Sequence, residues 1–157
     1  MGSTERIFWR ISGYHDLAGI GGRLVSARWH TKGRAIVYLA DSPAGAMLER
    51  LVHVMDADGR TPRSYDLLEV KCPRGLKITN LDPPLRADWK RREDATRVIG
   101  NRWLESRESP LARVPSAIVP RTWNYLLNPE HPGASRLKVE SVIQGRFDNR
   151  LFRLGSG

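Results

Sequence analysis

The sequence predicts a single α+β domain built round a split, bent sheet with flanking helices. With 157 residues and 40% hydrophobic composition, the chain is long enough for one hydrophobic core and short for two. Its apolar segments are of two kinds, β-rich runs and stretches with helical spacing, and this mixture favours helices packed on a sheet. We therefore expect one domain over residues 1–157.

The first half of the chain predicts a strand, a loop, a second strand and a helix. Residues 7–11 have the alternation and the aromatic content of a strand, and a glycine-rich loop then leads to Arg28. The β-rich run 35–40 stops before Ser42 and Pro43, which suit a helix cap and a first helical turn. The following apolar residues have the spacing of one buried helical stripe: Ala44, Met47, Leu48, Leu51, Val52 and Met55.

The second half predicts mostly strands, with one further helix. We expect strands at residues 65–70, 76–80, 111–114, 117–119 and 137–143, and strand character again at 147–152. Residues 88–106 lie between the predicted strands 76–80 and 111–114. They carry a partly polar seam, a row of residues at helical spacing that is interrupted by Gly100. The seam consists of Trp89, Arg92, Thr96, Ile99 and Trp103.

Charge and cysteine content exclude some classes of protein. The net charge of +9 fits a nucleic-acid binder, an enzyme for a polyanionic substrate or a protein with an acidic partner. However, the basic residues are dispersed, and the run 90–92 is followed at once by two acidic residues.

Cys72 is the sole cysteine, and the four histidines show no metal-ligand spacing, so we expect neither a disulfide nor a zinc site. The absence of a signal or a long apolar run predicts a soluble, cytoplasmic protein without a membrane span.

Glu49 lies beside the apolar stripe of the first predicted helix. At about 100° per residue it shares a line with Gly45 and His53, so its carboxylate need not enter the core. By helix geometry alone, a glutamate at this position is typically exposed to solvent. A glycine inside a helix costs roughly 0.5–1 kcal/mol relative to alanine. Gly45 therefore indicates either a gap for a ligand above the carboxylate or close packing of the helix.

Several segments together resemble the RES-domain toxins, a family named after an arginine, a glutamate and a serine in this order. They contain Arg28-Trp29, the stretch 42–49 that ends at Glu49, and Ser116 within residues 114–120. The resemblance begins at residues 9–11 and continues through residues 33–38, 100–104, 124–132 and 147–151. It implies an ADP-ribosyltransferase-like fold, NAD as substrate, no further cofactor, and a catalytic role for Arg28, Glu49 and Ser116.

The chemistry that the resemblance implies suits these residue types. Cleavage of the nicotinamide–ribose bond passes through an oxocarbenium-like state, which one carboxylate can stabilise. No general acid is needed because nicotinamide leaves as a neutral molecule. Glu49 would supply the carboxylate, and Arg28 would hold the pyrophosphate in a planar fork. Tyr38 would stack on nicotinamide or bond the substrate through its hydroxyl.

Ser116 is expected to orient Glu49 or a ribose hydroxyl, because no Gly-x-Ser-x-Gly elbow marks it as a nucleophile. Asn124 is a further substrate-binding candidate by its position. Water, inorganic phosphate or a protein side chain could accept the ADP-ribose, and hydrolysis is preferred. Alternatives of other classes are a nucleic-acid-binding or RNA-cleaving toxin and a non-catalytic interaction module.

The resemblance also implies a partner. We expect an antitoxin with a helix-turn-helix DNA-binding domain, so that DNA is contacted only indirectly, with room for a homodimer within the complex. An acidic segment of that antitoxin would suit the net charge of +9.

Overall fold

The computed structural model describes residues 5–55, 62–83 and 87–153. Within these ranges the chain forms one seven-stranded sheet and three α-helices, so the α+β prediction is confirmed. The strands are β1 (Glu5–Ile11), β2 (Val37–Ala40), β3 (Ser64–Pro73), β4 (Ile78–Asn80), β5 (Leu111–Pro115), β6 (Trp123–Leu127) and β7 (Lys138–Arg146). The helices are α1 (Ile20–Leu24), α2 (Pro43–Met55) and α3 (Glu93–Ser106), with 3₁₀ turns at Trp89–Arg91, Pro132–Arg136 and Asn149–Phe152.

The strands lie in the order β4-β5-β6-β2-β1-β3-β7, and β4–β5 is the parallel pair in this sheet. β1 and β2 are joined by a single registered pair, Trp9 with Ala40, whereas β1 and β3 align along the whole of β1. The sheet thus consists of two well-paired halves with a narrow junction, and the predicted split corresponds to that junction.

Each face of the sheet carries its own hydrophobic cluster, since alternate side chains of a strand point to opposite faces. One cluster includes Phe8, Val37 and Leu68, all fully buried. The other lies under α3 and includes Trp29 and Trp103, each 2% exposed. Loss of a side chain of that size from a core costs roughly 3–5 kcal/mol, so α3 is held firmly on its face of the sheet.

The predicted buried stripe of α2 is wrong in its orientation. Ala44, Leu48 and Val52 are exposed, while Ala46 and Val54 are buried together with Leu51; the Met55 side chain lies outside the described part. From the helical period, the buried face is rotated by roughly a quarter turn from the predicted stripe. Apolar spacing alone did not show which side of α2 the sheet covers, nor that the Glu49 carboxylate bonds to side chains from the sheet.

Two strand predictions are also wrong. Residues 117–119 form a bend, because the Ser116 hydroxyl accepts the amides of Ile118 and Val119 and turns the chain; the next strand starts at Trp123. The segment 147–152 ends in a 3₁₀ turn, where the Asp148 carboxylate accepts the Arg150 amide. The helix predicted over 88–106 exists but is divided at Arg92 into a 3₁₀ turn and α3.

Candidate active site

The Glu49 carboxylate is held by two polar side chains from the sheet. Asn124 Nδ2 donates to Glu49 Oε1 at 2.7 Å, and Ser116 Oγ donates to the same oxygen at 3.5 Å. Glu49 is half-buried, and its Oε2 accepts no hydrogen bond from the described residues. The carboxylate is therefore fixed through one oxygen and keeps the other for a ligand.

Strand register explains why these side chains meet. Asn124 of β6 stands opposite Ala40 of β2, so both residues point to the same face of the sheet. α2 begins three residues after Ala40 and runs along this face, and Glu49 follows nearly two turns later. Asn124 and Ser116 were predicted separately, and the structure brings both to Glu49.

Ser116 lies at the start of the β5–β6 connection, where its own amide donates to the Thr122 carbonyl at 2.8 Å. Its hydroxyl oxygen accepts two amides, from Ile118 at 3.1 Å and Val119 at 3.2 Å. Its single proton is consequently directed to the Glu49 carboxylate. This geometry favours the predicted orienting role over a nucleophilic one.

Gly45 packs closely instead of opening a gap. Its amide donates to Ser42 Oγ at 2.9 Å, which confirms Ser42 as the helix cap. A Cβ on Gly45 would lie 3.1 Å from that hydroxyl and 3.4 Å from the Ala40 Cβ. Of the two predicted reasons for this glycine, the structure supports close packing.

Arg28 lies in the loop before β2, against the segment that precedes α3. Its Nη1 donates to the Lys90 carbonyl at 2.7 Å, and its Nη2 is 3.7 Å from a Glu93 carboxylate oxygen. The guanidinium carbon is 5.9 Å from the centroid of the Trp89 ring, within cation–π range. A quarter of the side chain is exposed (25%), so Arg28 is accessible while already bonded within the protein.

The Tyr38 hydroxyl bonds within the protein, in a chain of hydrogen bonds. It accepts the Trp29 amide at 3.1 Å and lies 2.8 Å from His30 Nδ1, while His30 Nε2 lies 2.9 Å from the Gly22 carbonyl. That carbonyl can only accept, so we assign the proton to Nε2 and conclude that Tyr38 donates to Nδ1. Burial raises the pKa of Tyr38 above its ordinary value and lowers the pKa of His30, which favours this neutral arrangement.

His30 was missed as a site residue, because no spacing in the sequence marks it as a metal ligand or as a base. It is 1% exposed and stands two positions after Arg28, and this proximity was the available signal. With its hydroxyl occupied, Tyr38 retains its half-buried ring as the surface for the predicted stacking contact.

Glu49 and the loop that carries Arg28 lie on one face of the sheet. Tyr38 and Ala40 are two residues apart on β2 and point the same way, roughly 7 Å apart at the usual rise per residue. Asn124 is paired with Ala40 and bonds to Glu49, whereas the Tyr38 hydroxyl accepts the amide of Trp29, the residue after Arg28. A carboxylate and a guanidinium on one face could bind a molecule that is anionic at one end and develops positive charge at the other.

Two surface clefts lie elsewhere. One, of about 370 Å³, is lined by residues that include Arg34, Glu105 and Glu130, and the other, of about 340 Å³, by residues that include Arg6 and Arg74. Glu49 and Arg28 line neither cleft. The candidate site is thus an open polar face of the sheet and not one of these two cavities.

Within residues 5–55, 62–83 and 87–153, no three His, Cys, Asp or Glu side chains come together as metal ligands. No helix in this part of the chain has the length and apolar character to cross a membrane.

Comparison with known proteins gives a consistent result. The family model described as the RES domain matches residues 7–149. The chain is 46% identical to the protein named Toxin Res from Pseudomonas putida, over 93% of this chain and 99% of that protein. It is 37% identical to the Prs ADP-ribosylating toxin from a Sphingobium species, over 93% of this chain and 96% of that protein.

A solved structure also shares the fold. The crystal structure of the M. tuberculosis MbcT–MbcA toxin–antitoxin complex contains a similar chain, with a TM-score of 0.71 and 19% identity. The match covers 96% of this chain and 88% of the other. Because the family model spans residues 7–149 and relatives match along nearly their whole length, the chain belongs to the RES domain family.

Proposed function

We propose that this protein is the toxin of a toxin–antitoxin system and that it degrades NAD by cleaving the bond between nicotinamide and ribose. The observation that carries the proposal is the Glu49 carboxylate, held by Asn124 and Ser116 on the sheet face to which the Arg28 loop is bonded through Tyr38. Family membership and relatives named as toxins support it.

Glu49 stabilises the positive charge that develops on the ribose as its bond to nicotinamide breaks. The bonding electrons leave with nicotinamide, which departs neutral, so the leaving group takes no proton. Water then adds to the ribose carbon and loses a proton to solvent, which gives ADP-ribose. A carboxylate fixed before the reaction is more effective than a mobile one, because it need not reorganise in the transition state.

Arg28 binds the pyrophosphate of NAD in this proposal. Its guanidinium offers a bidentate fork to phosphate oxygens, which compete with the neutral Lys90 carbonyl and the more distant Glu93 carboxylate for the same donors. Tyr38 contributes its ring to nicotinamide.

The preferred acceptor of ADP-ribose is water, which makes the protein an NAD glycohydrolase. Inorganic phosphate and a protein side chain are the alternatives, and the Sphingobium relative named an ADP-ribosylating toxin favours the latter. The test is to incubate the purified protein with NAD and to analyse products by mass spectrometry, with and without phosphate. We expect nicotinamide and free ADP-ribose; an unchanged NAD pool would contradict the proposal.

The proposed partner is an antitoxin with a helix-turn-helix domain, which would make the DNA contact. The toxin–antitoxin complex of the structural neighbour and the net charge of +9 support a partner with an acidic segment. Expression of the chain alone should arrest growth, and co-expression with a neighbour-encoded antitoxin should relieve the arrest. Arrest with unchanged cellular NAD would contradict the proposed cause of toxicity.

A further inference from the structure

α3 lies against the loop of residues 27–31, which carries Arg28. Four residues of the helix contact the backbone or a side chain of this loop. They are adjacent or three to four positions apart, so they share one face of the helix. They are Thr96, Arg97, Gly100 and Asn101.

Two of these contacts fix the backbone at and before Arg28. The Thr96 hydroxyl donates to the Arg28 carbonyl at 2.5 Å, and Thr96 is fully buried. Arg97 Nε donates to the Ala27 carbonyl at 2.8 Å. A buried hydroxyl bonded to the carbonyl of Arg28 itself limits where the Cα of that residue can lie.

A third contact fixes the far end of the loop. The Thr31 amide donates to Asn101 Oδ1 at 3.0 Å, and Asn101 Nδ2 donates to the Thr31 hydroxyl at 2.9 Å. The loop is therefore attached to α3 on both sides of Arg28.

Gly100 allows the helix to come this close. A Cβ placed on Gly100 would lie 1.7 Å from the Trp29 carbonyl oxygen, a distance that no real contact permits. The helix therefore rests on the backbone of the residue next to Arg28, and this approach explains a glycine inside α3 despite its cost to the helix.

α3 also positions the charge beside Arg28. Arg97 Nη2 bonds to Glu93 Oε2 at 2.9 Å, and Glu93 Oε1 lies 3.7 Å from the Arg28 guanidinium. The same helix face thus fixes both the backbone and the counter-charge of Arg28.

We infer that Thr96, Arg97, Gly100 and Asn101 are positioning residues for NAD binding, which act through Arg28 without touching NAD. This inference rests on the proposed function, in which Arg28 binds the pyrophosphate. Thr96 is the best residue to change, because valine has nearly its shape but lacks the hydroxyl that bonds to the Arg28 carbonyl.

The test compares Thr96→Val with Thr96→Ser, which keeps the hydroxyl, and with Ser106→Ala. Ser106 matches Thr96 as a control, since its hydroxyl also donates to a backbone carbonyl from α3, at 2.8 Å, but to Trp103 and not to the loop. We expect Thr96→Val to raise the KM for NAD about threefold to tenfold with kcat changed less than about twofold. Thr96→Ser and Ser106→Ala should keep the KM within about twofold of the wild type.

A double variant tests whether Thr96 acts through Arg28. In an Arg28→Ala background, Thr96→Val should change the KM by less than about twofold, because the group that it positions is gone. An equal effect in both backgrounds, or an unchanged KM in Thr96→Val itself, would overturn the inference. A wild-type protein that neither binds nor cleaves NAD would instead overturn the proposed function.

Discussion

Glu49 and Arg28 are held in different ways. Glu49 is fixed at its functional end, where Asn124 and Ser116 donate to one carboxylate oxygen. Around Arg28, in contrast, the backbone of the loop is fixed by α3. The guanidinium donates one hydrogen bond, to the Lys90 carbonyl, and among the described residues has only longer contacts with Glu93 and Trp89. Changes near Glu49 should therefore affect the rate of bond cleavage, and changes near Arg28 should affect NAD binding.

The largest expected effect is that of Glu49→Gln. Glutamine keeps the size of the side chain but removes the charge, and loss of one preorganised electrostatic contact costs on the order of 10²–10³ in kcat. Glu69→Gln is a matched control, because Glu69 Oε2 accepts a serine hydroxyl in a similar way, from Ser141 at 3.0 Å. Nicotinamide release should fall in the first variant only; full turnover by Glu49→Gln would exclude Glu49 from the chemistry.

Substitution of Arg28 should act on binding. Arg28→Ala removes a charge-assisted contact, so the KM for NAD should rise about 10- to 100-fold. Arg28→Lys should lie between alanine and the wild type, since it keeps the charge but loses the bidentate fork. Steady-state kinetics test the order, and equal KM values for all three proteins would place Arg28 outside the site.

The two residues that hold Glu49 should differ in effect. Asn124→Ala removes the bond of 2.7 Å and should lower kcat about tenfold, whereas Ser116→Ala removes one of 3.5 Å and should lower kcat about threefold at most. The KM should change little in either variant. If Ser116→Ala proved the more damaging of the two to kcat, Ser116 would have a direct role in the reaction.

The smallest expected effect concerns pH. Burial lowers the pKa of folded His30, so the unfolded chain binds a proton more readily below the ordinary value of 6.5. Stability from this residue is present above pH 6.5 and is lost as the pH falls toward the lower pKa of the folded state. The Tm should therefore decrease on acidification more steeply in the wild type than in His30→Gln, and parallel curves would contradict this origin.

The sequence predicted the class of fold and most of its elements, because hydrophobic period and cap residues are local signals. Ser42 capped α2 as expected. The orientation of α2 was not predictable in this way, because apolar spacing does not show which side of the helix the sheet covers. The contact of Glu49 with Asn124, 75 positions away, is likewise non-local. The contact of α3 with the Arg28 loop is equally non-local, and Gly100 alone gave a hint of it.

Site residues were predicted through a family resemblance and not through spacing. Arg28, Glu49 and Ser116 are far apart in the sequence, and the strand register alone places Asn124 opposite Ala40. His30 was missed because its partners, the Tyr38 hydroxyl and the Gly22 carbonyl, become neighbours only in the fold.

The most direct test of the difference between Glu49 and Arg28 is a calorimetric titration with NAD. Glu49→Gln protein, in which turnover is suppressed, is compared with the same protein carrying Arg28→Ala as well. We predict that Glu49→Gln binds NAD and that the double variant binds it at least about tenfold more weakly. Equal affinity in the two proteins would contradict the assignment of binding to Arg28 and of bond cleavage to Glu49.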